Sequence, residues 1–571
     1  MGLRAMIRKT RSDADDEWWR GAIIYQIYPR SFYDGNSDGV GDLAGIAEKL
    51  PYVASLGVDA VWIAPFFRSP MADFGYDVAD HRAVDPIFGS LDDFDRLIAR
   101  AHALGLRVII DQVWGHTSDA NPWFRESAAS RGGDHADWYV WADPKPDGTP
   151  PNNWLAVFGG SAWSWSPRRR QYYLHHFLSC QPTLNLRHPP VMAALLETAR
   201  FWLERGVDGF RLDAIDFLLH DPSLRDNPAR PPADGVVPAK PFGLQEHLYD
   251  MVQPEVSARL GTCRRRLAKD YPGTALLGEV SSQDGAFGRI ARYTTAGEGL
   301  HMAYTLRPLR RDTAASAIGD ALAEIEAVGG DGWLCWAFSN HDVERAASRW
   351  NPARVRDELP PRPLVRMLLT LLVALRGSVC LYQGEELGLG EALLDCSELR
   401  DPFGIAYHPV FPGRDGCRTP MPWRSDAAHA GFTNGEPWLP VPREHFTASV
   451  AEQEADPDAP LHWLRRLLAW RKAHGAVRCG SLVRLDPPAP LLGFERANAG
   501  ERLLFLFNPS ERPATLSLRH DGLRRILDEV STITRAGDAI VFPPYGVLVA
   551  ELEAADRARQ DKRRMAALIA G

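Results

Sequence analysis

Three short apolar stretches end in acids: Phe210-Arg211-Leu212-Asp213, Gly278-Glu279-Val280 and Ser339-Asn340-His341-Asp342. Carboxyl groups gathered in one mouth suit the cleavage of an acetal. One protonates the departing oxygen, and another, ionised, captures or stabilises the oxocarbenium-like centre. A third can stabilise the developing positive charge. A single Asp at a strand end caps a loop as readily as it reacts; three such ends in the company of Arg211 and His341 argue for chemistry. Arg211 stands two residues before Asp213, so on a strand the two share a face, and the guanidinium can hold that carboxylate ionised and oriented.

Convergence of these acids requires strands that run side by side. Apolar runs at 23–28, 60–65, 106–113, 207–213, 275–280, 334–340 and 378–383, with a weaker one at 302–306, alternate with amphipathic helical stretches. That alternation predicts an α/β fold, a (β/α)8 barrel whose active site gathers at the C-terminal ends of the strands. Residues 1–116 form its first part. Residues 117–185, rich in Trp, Gly and Pro, are too long for an ordinary loop and predict an inserted subdomain over the mouth. The barrel resumes over 186–480, with irregular insertions at 221–242 and 388–460 and a last helix at 461–473. Short alternating strands predict a C-terminal β-sandwich over 481–553, and the charged tail 554–571 reads as a surface helix.

Composition narrows the partners. With 571 residues, 45% hydrophobic and 24% charged, the chain is ordinary globular material for more than one domain. A net charge of −8 gives no broad footprint for nucleic acid or acidic lipid, so neither is expected as a partner. The 18 Trp residues supply flat faces that suit sugar rings. Seven scattered Cys without a Cys-x-x-Cys pair argue against a disulfide framework or a zinc site. No apolar signal core opens the chain and no long apolar run could span a membrane, so a cytoplasmic location is expected.

Four motifs occur in order: Asp111-Gln112-Val113-Trp114-Gly115-His116, Gly209-Phe210-Arg211-Leu212-Asp213, Gly278-Glu279-Val280 and Phe338-Ser339-Asn340-His341-Asp342. With them the chain resembles the α-amylase superfamily of glycoside hydrolases, glycoside hydrolase family 13. The resemblance implies that Asp213 is the nucleophile, that Glu279 is the general acid and then the base, and that Asp342 stabilises the transition state. It also implies that His116 and His341 donate to hydroxyls of the bound glucose. The segment Ser69-Pro70-Met71-Ala72-Asp73-Phe74-Gly75-Tyr76-Asp77 is similar to α-glucosidases, where an Asp and a Tyr close off the terminal sugar; Asp73 and Tyr76 match them. Further α-glucosidase-like signatures are Gln383-Gly384-Glu385-Glu386-Leu387-Gly388 and the run from Gly413-Arg414-Asp415 to Pro422-Trp423. An Arg of the latter run pairs with that Asp in the family, and Arg414 is chosen here over Arg418. Phe158 and Phe177 match the aromatic residues that line the pocket.

The implied activity is a retaining α-glucosidase acting on terminal non-reducing glucose of small α-glucosides such as maltose. In the family a small or Thr residue after the nucleophile goes with α-1,4 preference and Val with α-1,6, so the resemblance implies α-1,4 linkages through Ala214. Transglucosylation or sugar isomerisation on the same scaffold stays open. Two departures bear on fine preference: Gly115 stands where many relatives have Asn, and Thr183 where many have Asp. Oxygen donors alternate through Asp34-Gly35-Asn36-Ser37-Asp38-Gly39-Val40-Gly41-Asp42, the spacing of a calcium loop. The family's version binds one structural Ca²⁺ or Mg²⁺ through Asp34, Asn36, Asp38, Asp42 and the Val40 carbonyl. No organic cofactor is expected.

Overall fold

The computed structural model describes residues 17–553, apart from 232–237, 239, 283, 308–316, 352, 354–357, 518–522 and 538. The tail at 554–571 lies outside the described residues. Eight strands form one parallel sheet: β1 (Ile23–Ile27), β2 (Ala60–Ile63), β3 (Arg107–Gln112), β4 (Gly209–Leu212), β5 (Ala275–Val280), β6 (Met302–Thr305), β7 (Cys335–Ala337) and β8 (Ser378–Tyr382). Their order is β6-β5-β4-β3-β2-β1-β8-β7. A parallel bridge between Ala303 and Leu334 joins the two ends and closes the barrel. Each of the eight expected runs is a barrel strand.

The period of two along each strand sorts the side chains. Ile24, Trp62, Ile109, Leu277, Met302, Tyr304 and Cys380 pack together as a cluster inside the barrel. The alternate residues, among them Val61, Val108, Ile110, Phe210 and Leu276, join the shell shared with the surrounding helices. Charge therefore has one place to go: continuing the inward column of β3 leads from Ile109 to Asp111, and that of β5 from Leu277 to Glu279. The helices that follow the strands cover the outside. The last, Pro460–Ala473, buries Leu461, Leu464, Leu467 and Leu468 on one face.

Between β3 and the helix Pro189–Glu204 stand a short helix, Pro122–Ala129, and a small antiparallel sheet of Trp141–Ala142, Gln171–Leu174 and Trp163–Ser166. Asn121 caps the helix through the Trp123 N–H, and Pro122 occupies the first turn, where a missing N–H is harmless. At the C-terminal end, a five-stranded antiparallel sheet faces a three-stranded one. Leu504, Leu506, Leu516, Ile540, Phe542 and Leu548 fill the space between them. Phe494, Phe505 and Phe507 point the other way and belong to the barrel's outer core. Among the described residues no helix is long and apolar enough to cross a membrane.

Candidate active site

Register brings the acids together. On neighbouring strands Leu277 pairs with Arg211 and Gly278 with Leu212, so one step further places Glu279 beside Asp213. Arg211, fully buried, reaches both: Nη1 lies 2.7 Å from Asp213 Oδ1 and Nη2 donates to Glu279 Oε2. It also donates to Asp111 Oδ1 at 2.5 Å and to the Tyr304 hydroxyl oxygen at 2.8 Å. Asp111 is held from its other side by the Trp62 indole N–H at 2.8 Å. A buried cation among three carboxylates satisfies its charge only if they stay in place, which fixes their relative positions.

Ala214, just after Asp213, adopts φ 38°, ψ 54°, the left-handed region that a residue with a Cβ rarely occupies. That turn points its N–H at Glu279 Oε2, 3.2 Å away. Strain of this kind persists where surrounding structure over-determines it, and here it ties the two acids through the backbone. A second tie lies one turn on, where Asp216 accepts from the Ser282 N–H at 2.9 Å and from the Tyr293 hydroxyl at 3.1 Å. The segments that leave β4 and β5 are thereby locked to each other.

Burial pushes the Glu279 carboxyl up to about 8; Arg211 opposes the rise, and the neighbouring Asp213 and Asp342 add to it. Burial raises Asp213 as well, to about 7, against the pull of Arg211. The two carboxyls titrate as a coupled pair that burial raises, so the pair holds protons to higher pH than free carboxyl groups do. Asp342 differs. Burial would raise it too, yet His341, Arg414, Arg418 and Arg211 outweigh burial and hold it well below the usual carboxylate range. It receives Arg418 Nη2 at 2.7 Å and Arg414 Nη1 at 3.3 Å.

Asp73 and Arg414 meet. Arg414 Nη2 lies 2.8 Å from Asp73 Oδ1, and the same guanidinium pairs with Asp401 at 2.7 Å. Asp77 braces the turn that carries Asp73, accepting from the Ala72 and Asp73 N–H groups and the Ser69 hydroxyl. Gln181 donates to the remaining oxygen of Asp73 at 3.0 Å. The guanidinium of Arg414 stands 5.3 Å from the Phe158 ring centre, and Phe158 packs against Phe177 at 6.4 Å. Arg418 instead serves Asp342 and the His341 carbonyl.

The two histidines are engaged by protein. His341 Nδ1 lies 2.7 Å from Gln26 Nε2 and its Nε2 lies 2.6 Å from the Tyr76 hydroxyl, while the Tyr76 ring stacks on it at 5.4 Å. His116 Nε2 faces the Tyr76 carbonyl at 3.1 Å and its ring lies 5.1 Å from Phe177. Burial pushes both imidazoles down to about 3, so both are neutral. In this arrangement they hold Tyr76 and the pocket wall, and direct donation to a sugar hydroxyl would require a partner to give way.

The loop 34–42 is closed on itself. Asp34 accepts from the Asn36, Ser37 and Gly39 N–H groups and from the Thr433 hydroxyl; Asp38 accepts from the Val40 N–H; Asp42 accepts from the Gly35 and Gly45 N–H groups. Its hard oxygen donors suit a divalent cation in kind. Among the described residues, however, no three acidic, His or Cys side chains are gathered as a metal-binding group.

Asp111, Asp401, Tyr304, Trp62, Gln26 and Gln181 are parts of the site that the sequence reading did not assign. Asp111 stood in a quoted motif and could have been found there. Asp401 carried no signal beyond an Asp-Pro pair, the look of a helix cap.

A barrel with two buried, coupled carboxyl groups at its mouth, joined by one buried Arg, has the arrangement that acetal cleavage needs. Residues 26–480 match the family description "Alpha amylase, catalytic domain". A "Probable alpha-glucosidase" of Rhizobium meliloti (strain 1021) is 52% identical, covering 95% of this chain and 98% of its own. An "Oligo-1,6-glucosidase" of Heyndrickxia coagulans is 34% identical over 94% of this chain and 100% of its own. Among solved structures, that of the alpha-glucosyl transfer enzyme XgtA superposes with a TM-score of 0.89 at 52% identity, covering 94% of this chain and 99% of that one. The chain belongs to the α-amylase family of glycoside hydrolases, in its branch of α-glucosidases and α-glucosyl transfer enzymes.

Proposed function

We propose that this protein is a retaining, exo-acting α-glucosidase that releases single glucose units from the non-reducing ends of small α-glucosides, with α-1,4 linkages preferred. The Asp73–Arg414 ion pair carries this reading, since it ties the loop after β2 to the 388–460 insertion and so would close one end of a cleft into a pocket. Only a chain end fits a pocket. Asp213 attacks the anomeric carbon as Glu279 gives its proton to the glycosidic oxygen, so that the C1–O bond to the leaving group breaks while a C1–carboxylate bond forms. Glu279, now ionised, takes a proton from water, the hydroxyl attacks C1, and Asp213 departs; two inversions give net retention. Asp342, kept ionised by two arginines, faces the flattened, positively charged ring.

The likeness to an α-glucosyl transfer enzyme favours a second outcome at the same intermediate, capture of the glucosyl group by a sugar or alcohol instead of water. Glucose and transfer products over maltose, isomaltose, sucrose, trehalose and maltotetraose, with and without added alcohol, test both. Free glucose from maltose supports hydrolysis; no turnover of any α-glucoside in the panel would remove the assignment. We further propose that the loop 34–42 holds one divalent cation away from the chemistry, supported by its oxygen donors at alternate positions.

A further inference from the structure

Beside the ion-paired cluster of Asp73, Arg414 and Asp401, the molecule has an open cleft with about 480 Å³ of free volume. Ala72 and Phe74 line it and flank Asp73; Arg400 and Pro402 line it and flank Asp401. The two segments that clamp Arg414 thus also border this cleft. Its floor includes the half-buried rings of Phe74 and Trp438, 5.4 Å apart, and the exposed Ile405 rises at the rim. The Trp438 indole N–H is already used, donating to Ser31 Oγ at 3.0 Å, so what Trp438 offers a ligand is its apolar surface.

Two guanidinium groups face the same cleft. Arg30 is 7% exposed, and its Nε and Nη2 are buried without a hydrogen-bond partner. Its ring neighbours are Phe74 at 5.4 Å and Trp438 at 5.1 Å. Burial lowers its pKa, Tyr28, Asp85 and Asp38 oppose the fall and Arg418 adds to it, and among the described residues Arg30 makes no ion pair. Arg400 is exposed and makes no ion pair among the described residues. The other lining side chains are apolar, so the cleft contains donors and flat hydrocarbon but no side-chain acceptor. This decides the chemistry of the occupant. A neutral sugar presents O–H donors that would go unmet, whereas an oxyanion only accepts, and guanidinium groups match it in geometry and charge.

We propose that this cleft is a second binding site, separate from the sugar pocket, for a small oxyanion, phosphate or carboxylate, carried on a flat apolar ring. The ring lies against Trp438 and Phe74 while Arg30 and Arg400 take the anion.

Phenyl phosphate and benzoate, titrated calorimetrically into the full-length protein with deoxynojirimycin filling the sugar pocket, test this directly. Saturable binding of either probe is expected, with inorganic phosphate and maltose binding at least about tenfold more weakly. Arg400→Ala changes an exposed side chain and is expected to keep the fold and turnover while weakening phenyl phosphate by about tenfold or more; Arg30→Gln is expected to weaken it further. Binding that disappears when deoxynojirimycin is present, binding unchanged in Arg400→Ala, or maltose binding as tightly as the anions would each overturn the proposal. So would the absence of saturable binding by both probes.

Discussion

The roles proposed for Asp213 and Glu279, nucleophile and acid, belong to one coupled pair whose carboxyl pKa values burial raises. Asp213→Asn and Glu279→Gln are each expected to depress maltose hydrolysis steeply, the acid–base variant by on the order of 10²–10⁴-fold. They then part company. Given azide and an aryl α-glucoside with a good leaving group, Glu279→Gln should recover rate and yield α-glucosyl azide, because azide takes water's place in the second inversion and neither protonation nor water activation is then needed. Any azide product of Asp213→Asn should instead be β-glucosyl azide, because azide then stands in for the carboxylate and only one inversion occurs. Titration gives a second measurement. A raised Glu279 must stay protonated to act as acid and Asp213 must be ionised to attack, so kcat/KM should fall below the lower and above the upper apparent pKa of the pair, with an optimum near neutrality. In Glu279→Gln with the activated substrate and azide, the alkaline fall should vanish while the acidic one remains. A profile in which the alkaline limb survives would mean that another group supplies the proton. These acids were legible in the sequence because each ends an apolar run, and barrel strands end at the active site. Asp401 was not. It caps the short helix Pro402–Tyr407, accepting from the Phe403 N–H at 3.2 Å, and that local role is all its neighbours in sequence reveal. Its pairing with Arg414 arises only when two loops fold back on each other.

At the level of elements, the long hydrophobic strands read clearly and the closure of the barrel did not. β6 has four residues and β7 three, and one bridge plus one weak backbone hydrogen bond join them, so little sequence is spent on the seam. The helix Pro460–Ala473 was visible from its Leu and Trp spacing because that spacing is the packing face itself. The loop 34–42 was visible as a pattern, yet a pattern of alternating oxygens serves both an Asx turn and a cation. Asp38 separates the two, since its side chain is exposed while Asp34 is buried in turn hydrogen bonds. If a cation binds the native state, chelation should lower the melting temperature; a site at 100-fold saturation contributes about 2.7 kcal/mol. Asp38→Ala should show the same lowering without chelator and little further change with it. Turnover at low temperature should stay near that of the parent. An unchanged melting temperature in EDTA, with no bound metal by elemental analysis, would leave the loop a plain turn.

In the molecule as a whole, three insertions meet over one mouth, and on the proposed function they set how long a substrate can be. Phe158 comes from the 117–185 insertion and lies 4.7 Å from Phe403, which the 388–460 insertion carries; the Tyr407 hydroxyl also reaches the Phe158 carbonyl at 3.3 Å. From the third insertion, Lys240 places its ammonium 4.0 Å from the Phe403 ring centre and 5.2 Å from that of Phe411. Phe242 approaches Phe217, which packs on Phe177 at 5.1 Å. Sequence showed three insertions near one end; only side-chain packing shows that they interlock. If Asp73 and Arg414 seal the sugar end as proposed and these contacts narrow the outer approach, one glucose and a small leaving group fit without displacing protein. Catalytic efficiency should therefore fall from maltose to maltotetraose, and starch should hardly react, because longer chains must part the interlock before reaching a reactive geometry. Lys240→Ala removes a cation–π contact worth about 0.5–2 kcal/mol and leaves the acids untouched. It should narrow the gap between maltose and maltotetraose by several-fold, mainly by raising kcat/KM for the longer sugar. If the interlock only stabilised the fold, the same variant would lower the melting temperature and leave the length profile as it was. Equal efficiency on the two sugars in the parent enzyme would show that the mouth is open and that the pocket does not govern length.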